Sequence, residues 1–245
     1  MTKRKVKREF TTLAVAVLLA AAAEAGPPKD PPAKCAPDAV LVGSVCMDKY
    51  EASVWRVPDP LTTNKKLVKK IRKGKATAAE LTAAGATQLG VNGDDYAPCT
   101  DNGQTCKDDI YAVSLPGVMP STFITWFQAN VACANSGKRL PSNAEWQMAV
   151  TGTQDPGLDN GATDCNTGGF VPGKVNTGSR SDCVSAFGAY DMVGNVWEWV
   201  ADWVPRSTTC LGWGSFSDDW LCSEGEEPTE PRALVRGGSF LSSLT

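Results

Sequence analysis

The segment Gly188–Trp203, with the sequence GAYDMVGNVWEWVADW, places oxygen-bearing groups and large aromatic side chains around one glycine turn. Its oxygen donors are Asp191, Gly194, Asn195 and Glu198, and its tryptophans are Trp197, Trp199 and Trp203. Tryptophan is more often packed than exposed, so we expect these three side chains to lie in the core. The segment therefore predicts a domain held together by aromatic anchors around a polar turn.

Cysteines set the second constraint on the fold. The chain has nine cysteines and no histidine. Eight of them are near neighbours in the sequence, and we expect them to form local disulfides, although other connectivities stay open: Cys35/Cys46, Cys99/Cys106, Cys165/Cys183 and Cys210/Cys222. Zinc is the alternative, and the absence of histidine and of any C-x-x-C spacing disfavours it. Cys133 is left over, which indicates a missing partner, a dimer or a free thiol.

The N-terminus has the order of a secretory signal peptide. Basic residues between Lys3 and Arg8 precede an apolar run from Leu13 to Ala23, and Ala23-Glu24-Ala25 is typical of a cleavage site. A membrane anchor is the alternative, but the run of 11 residues is shorter than the roughly 20 that a spanning helix needs. We predict a signal peptide at 1–25, no stable membrane span, and export to the periplasm or the extracellular space.

The charge balance after export is acidic. Cleavage after Ala25 would remove five of the 24 basic and two of the 27 acidic side chains, which leaves 19 and 25 and a net charge of −6. Nucleic-acid partners are not expected, because phosphate contacts need a basic surface. A proline-rich linker at 26–34 then leads into a single domain at 35–245.

Local patterns place several short elements. Val40–Tyr50 predicts two strands around Gly43, with Tyr50–Ala52 continuing the second strand, and Asn195–Ala201 and Ala233–Phe240 predict two more. Thr125 can cap a helix that ends before Gly137, and Ser142 with Glu145 forms a capping box for a second helix. Carboxylate pairs such as Asp48/Glu51, Asp94/Asp95 and Asp218/Asp219 are expected to be solvated.

Residues 58–106 are interpreted as an insertion. Seven basic side chains between Lys65 and Lys75 precede the helix-prone stretch Ala76–Ala84. A surface that binds anions is one interpretation. We favour a solvated helical excursion, since Leu67, Val68 and Ile71 give only a thin apolar stripe.

Three motifs in order carry a family resemblance. They are GKRLPSNAEW at Gly137–Trp146, the segment Gly188–Trp203, and LVRGGSF at Leu234–Phe240. Together they resemble the sulfatase-modifying factor family, which includes the formylglycine-generating enzymes. The resemblance implies an α+β fold with little regular structure, a disulfide-stapled variant of the C-type lectin fold, in which Asp48 and Glu51 match an early "D-x-x-E" stretch.

The resemblance also implies a calcium site. The family pattern maps the ligands onto the Asp191 and Glu198 side chains and the Gly194 and Val196 carbonyls. Ca²⁺ prefers a mixture of carboxylate and carbonyl oxygens, which agrees with this set. The alternative is that Asp191 and Glu198 only cap a turn.

The copper site of the family is not expected in this chain. In formylglycine-generating enzymes two cysteines hold Cu(I), and the position of the first is occupied here by Ser242. A serine hydroxyl is a poor ligand for a soft ion, so catalytic residues are not assigned. The second cysteine would lie beyond Thr245, and in the family a terminal cysteine pairs with the one that matches Cys133. We therefore expect the domain to lack its C-terminus.

The functional expectation is a calcium-stabilised binding or structural module for an extended peptide or a glycan. Trp213 and Trp220, between Cys210 and Cys222, could line such a groove or could pack in the core. The alternative is a formylglycine-generating oxidase whose catalytic C-terminus is missing from this chain. Histidine-dependent iron and hydrolytic chemistries are excluded, because the chain has no histidine.

Overall fold

Short helices and strands joined by long loops make up the structure, a computed structural model that describes residues 34–106, 109–168, 172–204 and 232–241. The helices are α1 (Lys65–Ile71), α2 (Ala78–Ala83), α3 (Trp126–Asn135) and α4 (Asn143–Ala149). The strands are β1 (Ala39–Val42), β2 (Val45–Asp48), β3 (Ala52–Arg56), β4 (Thr87–Leu89), β5 (Ile110–Ser114), β6 (Glu198–Val204) and β7 (Arg232–Arg236). The fold is mixed α/β with little regular structure, while the C-type lectin variant stays a prediction.

The described strands form three small antiparallel sheets. β1 pairs with β2 across the predicted turn, where Gly43 has φ +56°. β3 lies between β4 and β5, and β6 pairs with β7. The expectation that Tyr50–Ala52 continues β2 is wrong, because the chain turns after Asp48 and β3 begins at Ala52. This turn is fixed by the backbone N–H of Tyr50, which donates to Ser114 Oγ at 3.0 Å.

Helix starts follow the predicted capping chemistry. In α3 the Thr125 hydroxyl accepts from the Gln128 N–H, and in α4 the Ser142 hydroxyl accepts from the Glu145 N–H. Both are reciprocal capping boxes, which satisfy backbone donors that a helix leaves unpaired. α2 starts in the same way at Thr77.

The central sheet of β4, β3 and β5 is buried on both faces. Trp55 and Tyr111 point to one face and pack with α1 and α2, whereas Val54 and Ala112 point to the other and pack with α3. Alternation along a strand sends successive side chains to opposite faces, so two strands supply both clusters. A third cluster packs α4 against β1 and β6 around Trp146.

The apolar stripe of α1 belongs to the core. Leu67, Val68 and Ile71 are buried in the same cluster as Trp55 and Tyr111. The interpretation of this stretch as a solvated excursion is therefore wrong for its apolar side chains, which seal one face of the central sheet. The stripe is narrow, but the sheet supplies the partner that the sequence pattern does not show.

Three of the four predicted cysteine pairs are confirmed. Cys35–Cys46, Cys99–Cys106 and Cys165–Cys183 are bonded, and Cys210 and Cys222 lie outside the described residues. Within those residues Cys133 is a free thiol. None of the described helices is long and apolar enough to span a bilayer.

The contribution of α1 to the core can be measured directly. Ile71 is 1% exposed, so Ile71→Ala should lower the free energy of unfolding by about 2–5 kcal/mol through lost burial and a residual cavity. Leu61→Ala, at a side chain that is 65% exposed, should change it by less than about 0.5 kcal/mol. Urea unfolding checks both values, and equal, small effects would contradict the packing described for α1.

Candidate functional site

The polar turn Asp191–Val196 is held in an unusual backbone conformation. Asp191, Gly194 and Asn195 have φ values of +60°, +77° and +54°. A methyl group on Gly194 would lie 2.3 Å from the carbonyl oxygen of Asn166, so only glycine fits there. The Asn195 N–H donates to that same carbonyl at 2.7 Å. The turn therefore depends on close backbone contact with the loop that contains Asn166.

Asn195 joins three parts of the chain through its side chain. Its Nδ2 donates to Glu51 Oε2 at 2.5 Å and to the Val175 carbonyl at 3.2 Å. Its Oδ1 accepts from the Val175 N–H at 2.8 Å and from Asn166 Nδ2 at 3.3 Å. Each side-chain atom of the amide is thus bonded, which orients the turn.

Glu51 is buried below the turn, although the sequence suggests a solvated carboxylate. It is 6% exposed, and its Oε1 accepts from the Val196 N–H at 3.1 Å. Burial raises the pKa of Glu51 well above its usual value, and the charges of Asp191 and Glu198 raise it further. The "D-x-x-E" match was the sequence signal for Glu51, but nothing local shows that its partners lie far along the chain.

Two of the four predicted calcium ligands converge beside this turn. A methyl group on Gly237 would lie 3.5 Å from the Met192 carbonyl oxygen, 3.6 Å from Glu198 Oε2 and 3.7 Å from the Val196 carbonyl oxygen. Two predicted ligands, Val196 and Glu198, therefore present oxygens to one point, and Met192 adds a third. The Asp191 carboxylate accepts from the Gly178 N–H at 2.6 Å, and Trp146 Nε1 donates to Glu198.

These oxygens suit a hard cation more than a transition metal. Across the described residues no group of three or more His, Cys, Asp or Glu side chains converges as a metal cluster. A cation here would depend on backbone carbonyls as well as carboxylates, which is the preference of Ca²⁺. Asn166 Oδ1 is also buried and has no hydrogen-bond partner in the described residues. The calcium site stays a prediction with a compatible set of donors.

Burial brings the acids of this region toward neutrality. It raises the pKa of Asp191 to about 6, against the opposing effects of the Gly178 N–H and Arg180. It raises the pKa of Glu198 to about 7, with the Trp146 hydrogen bond opposing and the Asp191 charge adding to the shift. Carboxylates that are desolvated and close to one another resist ionisation unless a cation balances them.

A cavity of about 590 Å³ opens beside these acids. Its lining includes Trp146, Trp197, Trp199 and Tyr190 as well as the carboxyl groups of Glu51 and Glu198. The expectation that all three tryptophans of the motif are core residues is wrong. Trp197 lines the cavity and is 61% exposed. Trp203 packs on Trp126 and Phe127 but is still 42% exposed.

Cys133 lines the same cavity beside a half-buried ion-pair cluster. Lys138 Nζ lies 2.8 Å from Asp38 Oδ2 and 2.7 Å from Asp48 Oδ1. Burial raises the pKa of the Cys133 thiol to about 12, and the Asp48 charge adds to the shift. The thiol is therefore protonated at neutral pH and is a weak nucleophile. Ser242, at the position of the first catalytic cysteine, lies outside the described residues.

Comparison with known proteins identifies the domain. The sequence model of the family described as "Sulfatase-modifying factor enzyme 1-like domain" matches residues 63–245. The chain belongs to the sulfatase-modifying factor family.

Relatives of this sulfatase-modifying factor domain differ in their described activities. A formylglycine-generating enzyme of Thermomonospora curvata is 30% identical over 147 residues, which are 50% of this chain and 45% of that protein. An inactive C-alpha-formylglycine-generating enzyme 2 of Bos taurus is 34% identical over 101 residues, 34% of this chain and 32% of that protein. A hercynine oxygenase of Mycolicibacterium smegmatis is 31% identical over 100 residues, 36% and 22% respectively. The chain spans less than half the length of these relatives.

The buried acids of the domain predict how its stability depends on pH. Without divalent cations, the free energy of unfolding should fall as the pH rises from about 5 to about 7, since folded Asp191 and Glu198 keep protons that the unfolded chain releases. Glu198→Gln should flatten this dependence in urea melts with chelator. Glu145→Gln is the control, because the pKa of Glu145 is lowered to about 2 and its contribution is constant above pH 5. A stability that rises over this range would contradict the assignment.

The amide of Asn195 gives a second prediction for the site. Asn195→Ala would leave Glu51 Oε2 and the Val175 N–H without their partners, so the free energy of unfolding should fall by about 3 kcal/mol. Asn92→Ala, at an exposed position, should change it by less than about 0.5 kcal/mol. Chemical denaturation measures both, and a neutral Asn195→Ala would show that the amide does not join these segments.

Proposed function

We propose that this chain is an exported, calcium-stabilised binding module of the sulfatase-modifying factor family that takes an extended peptide or a glycan and lacks the copper-cysteine oxidase site. The observation that carries the proposal is the cavity of about 590 Å³, which combines tryptophan faces with carboxyl groups. Aromatic faces stack on sugars and on peptide side chains, and a few fixed polar groups give orientation. A cavity with this lining can bind a ligand without supplying a nucleophile.

The thiols of this chain argue against copper chemistry. Six of the seven cysteines among the described residues are bonded in disulfides, and burial raises the pKa of the seventh, Cys133, to about 12. The family holds Cu(I) with two soft thiolate ligands, and the described residues offer a single free cysteine. Ser242 replaces the first of the two cysteines that the family uses. The residues do not fit the copper ion, so we derive no oxidation step through it.

Calcium is proposed as a structural ion at the polar turn. Asp191, Gly194, Val196 and Glu198 are the proposed ligands. The support is the convergence of the Val196 and Glu198 oxygens near Gly237 and the raised pKa values of Asp191 and Glu198. A divalent cation would relieve the repulsion among these buried acids and would hold the turn that positions Trp197.

Export is supported by the disulfides as well as by the N-terminal sequence. Three disulfides persist in oxidising compartments, whereas cytosolic thiols are kept reduced. The proposed signal peptide at 1–25 would deliver the chain to such a compartment.

Removal of calcium tests the proposed metal site. Ca²⁺ in excess over chelator should raise the melting temperature at pH 8, since ligand binding to the folded state stabilises it in proportion to the logarithm of its concentration. Glu198→Gln should abolish most of this shift, and Glu145→Gln should retain it. Mg²⁺, which prefers rigid octahedral sites, should act more weakly. A melt that is unaffected by Ca²⁺ would remove calcium from the proposal.

Binding and turnover of one peptide test the proposed role. The probe is a synthetic peptide with the C-x-P-x-R motif, incubated with the full chain, Cu(I) and O₂. We expect binding by calorimetry, but no loss of mass from the cysteine and no oxygen uptake above that of the peptide with Cu(I) alone. Trp197→Ala should weaken the peptide affinity about tenfold, because truncation of an exposed aromatic anchor commonly costs more than about 1 kcal/mol.

Trp203→Ala is the matched control, since Trp203 is also exposed but is not among the residues that line the cavity. Its peptide affinity should match that of the unchanged chain. Conversion of the cysteine to formylglycine would instead favour the alternative function, an oxidase of the formylglycine-generating type. Equal loss of affinity in both tryptophan variants would contradict the placement of the ligand in the cavity.

A further inference from the structure

The helix α1 and the turn after it present a dense positive surface. All seven basic side chains of this segment are exposed: Lys65, Lys66, Lys69, Lys70, Arg72, Lys73 and Lys75. Residues 60–79 contain these seven basic side chains and no acidic one, which leaves the rest of the chain with 17 basic and 27 acidic side chains. The segment is thus a local reversal of charge on an otherwise acidic protein.

Few of these charges are used inside the fold. Lys70 forms an ion pair with Glu80, and Arg72 Nε donates to the Asn135 carbonyl at 2.8 Å. The other members of the segment have no carboxylate partner among the described residues: Lys65, Lys66, Lys69, Lys73 and Lys75. Internal ion pairing therefore does not account for the surface.

The stability of the helix does not account for it either. Lys65 and Lys66 lie in the first turn of α1, which has no acidic residue and where positive charge opposes the helix dipole. Lys65 and Lys69, and likewise Lys66 and Lys70, are four residues apart, so their like charges repel on one helix face. Only the charges of the last turn favour the helix. The basic side chains of the first turn and the like-charge pairs therefore lower the stability of α1.

The surface is also rigid. Leu67, Val68 and Ile71 fix α1 against the central sheet, so its lysines cannot turn inward. At the end of the segment Gly74 has φ +61°, and a methyl group there would lie 1.9 Å from Asp38 Oδ1. The turn is therefore in close contact with Asp38, and the backbone that carries the basic side chains is fixed.

An exposed apolar side chain lies just before the positive surface in the sequence. Leu61 is 65% exposed and comes four residues before Lys65. The turn that carries it is closed by the N–H groups of Thr62 and Asn64, which both donate to the Asp59 carbonyl. Lysines bind phosphate groups. A leucine near them can be buried on binding only if the anionic surface covers an apolar interior.

We propose that this face docks peripherally on an anionic lipid bilayer, with the lysines of α1 at the headgroup phosphates and Leu61 at the acyl boundary. A polyanionic glycan would satisfy the lysines but would leave Leu61 in water, so the lipid surface accounts for more of the geometry. Each lysine or arginine close to an anionic membrane contributes attraction that salt screens. Docking is independent of the proposed ligand of the cavity.

Vesicle sedimentation with the full chain tests the docking face. The chain should bind vesicles of phosphatidylglycerol and phosphatidylcholine more tightly than vesicles of phosphatidylcholine alone, and added salt should weaken this binding. The triple variant Lys65→Gln, Lys66→Gln, Lys69→Gln should lower the partition coefficient about 100-fold, because three attractive charges are lost. Lysine, glutamine and arginine have similar helix propensities, so α1 should persist in this variant.

Two matched controls separate the docking face from other effects. The triple variant Lys65→Arg, Lys66→Arg, Lys69→Arg keeps the charge and should bind within about twofold of the unchanged chain. Leu61→Ser should lower the partition coefficient about tenfold, whereas Leu158→Ser, at a leucine that is 67% exposed in another loop, should not. The apolar run near the N-terminus is the same in every variant, so the ratios report the docking face.

Two results would overturn the proposal. One is equal vesicle binding by the unchanged chain and the glutamine variant, which would show that α1 does not contact the membrane. The other is salt-sensitive binding to heparin together with no preference for phosphatidylglycerol vesicles, which would assign the positive surface to a polyanionic glycan instead.

Discussion

The hydrogen bond between Asn195 and the buried Glu51 is the contact on which the candidate site depends. It joins residues 144 positions apart, and Glu51 also accepts from the Val196 backbone. Glu51 is 6% exposed, and a buried carboxyl group costs free energy unless its oxygens accept hydrogen bonds. The turn that contains Asn195 and Val196 therefore has to pack against Glu51. The contact between this turn and Glu51 sets the direction of β6, which begins three residues after Asn195. Trp197, Glu198 and Trp199 reach the cavity for this reason.

Desolvation disfavours ionisation both at the polar turn and at Cys133. At the polar turn it makes Asp191 and Glu198 reluctant to ionise, and a divalent cation is the natural compensation. At Cys133 it keeps the thiol protonated, while Lys138 balances Asp38 and Asp48 nearby. The same burial supports the proposed cation at the polar turn and keeps the Cys133 thiol from ionising. Both effects underlie the proposed binding module.

Local chemistry decided which features the sequence could predict. The capping boxes at Thr125 and Ser142, the hairpin at Gly43 and three disulfides depend on residues close in the chain, and these predictions are confirmed. Glu51 was expected in solvent because its partners Asn195 and Val196 come far later in the sequence. The prediction for the tryptophans was wrong for a related reason, since the exposure of Trp197 depends on the cavity and not on the neighbouring residues in the sequence. β6 likewise begins at Glu198 instead of Asn195, because Glu51 holds the preceding residues in a turn.

The central sheet brings the basic surface and the cavity close together. Trp55 and Tyr111 on one face hold α1, whereas Val54 and Ala112 on the other face line the cavity. Arg72 and Gly74, which end the basic segment, also line the cavity. Helical rise places Lys65 only about 10 Å from Arg72 along the axis of α1, so a bilayer on the basic surface would lie near one rim of the cavity. A ligand would then enter beside the membrane, although docking does not require that ligand.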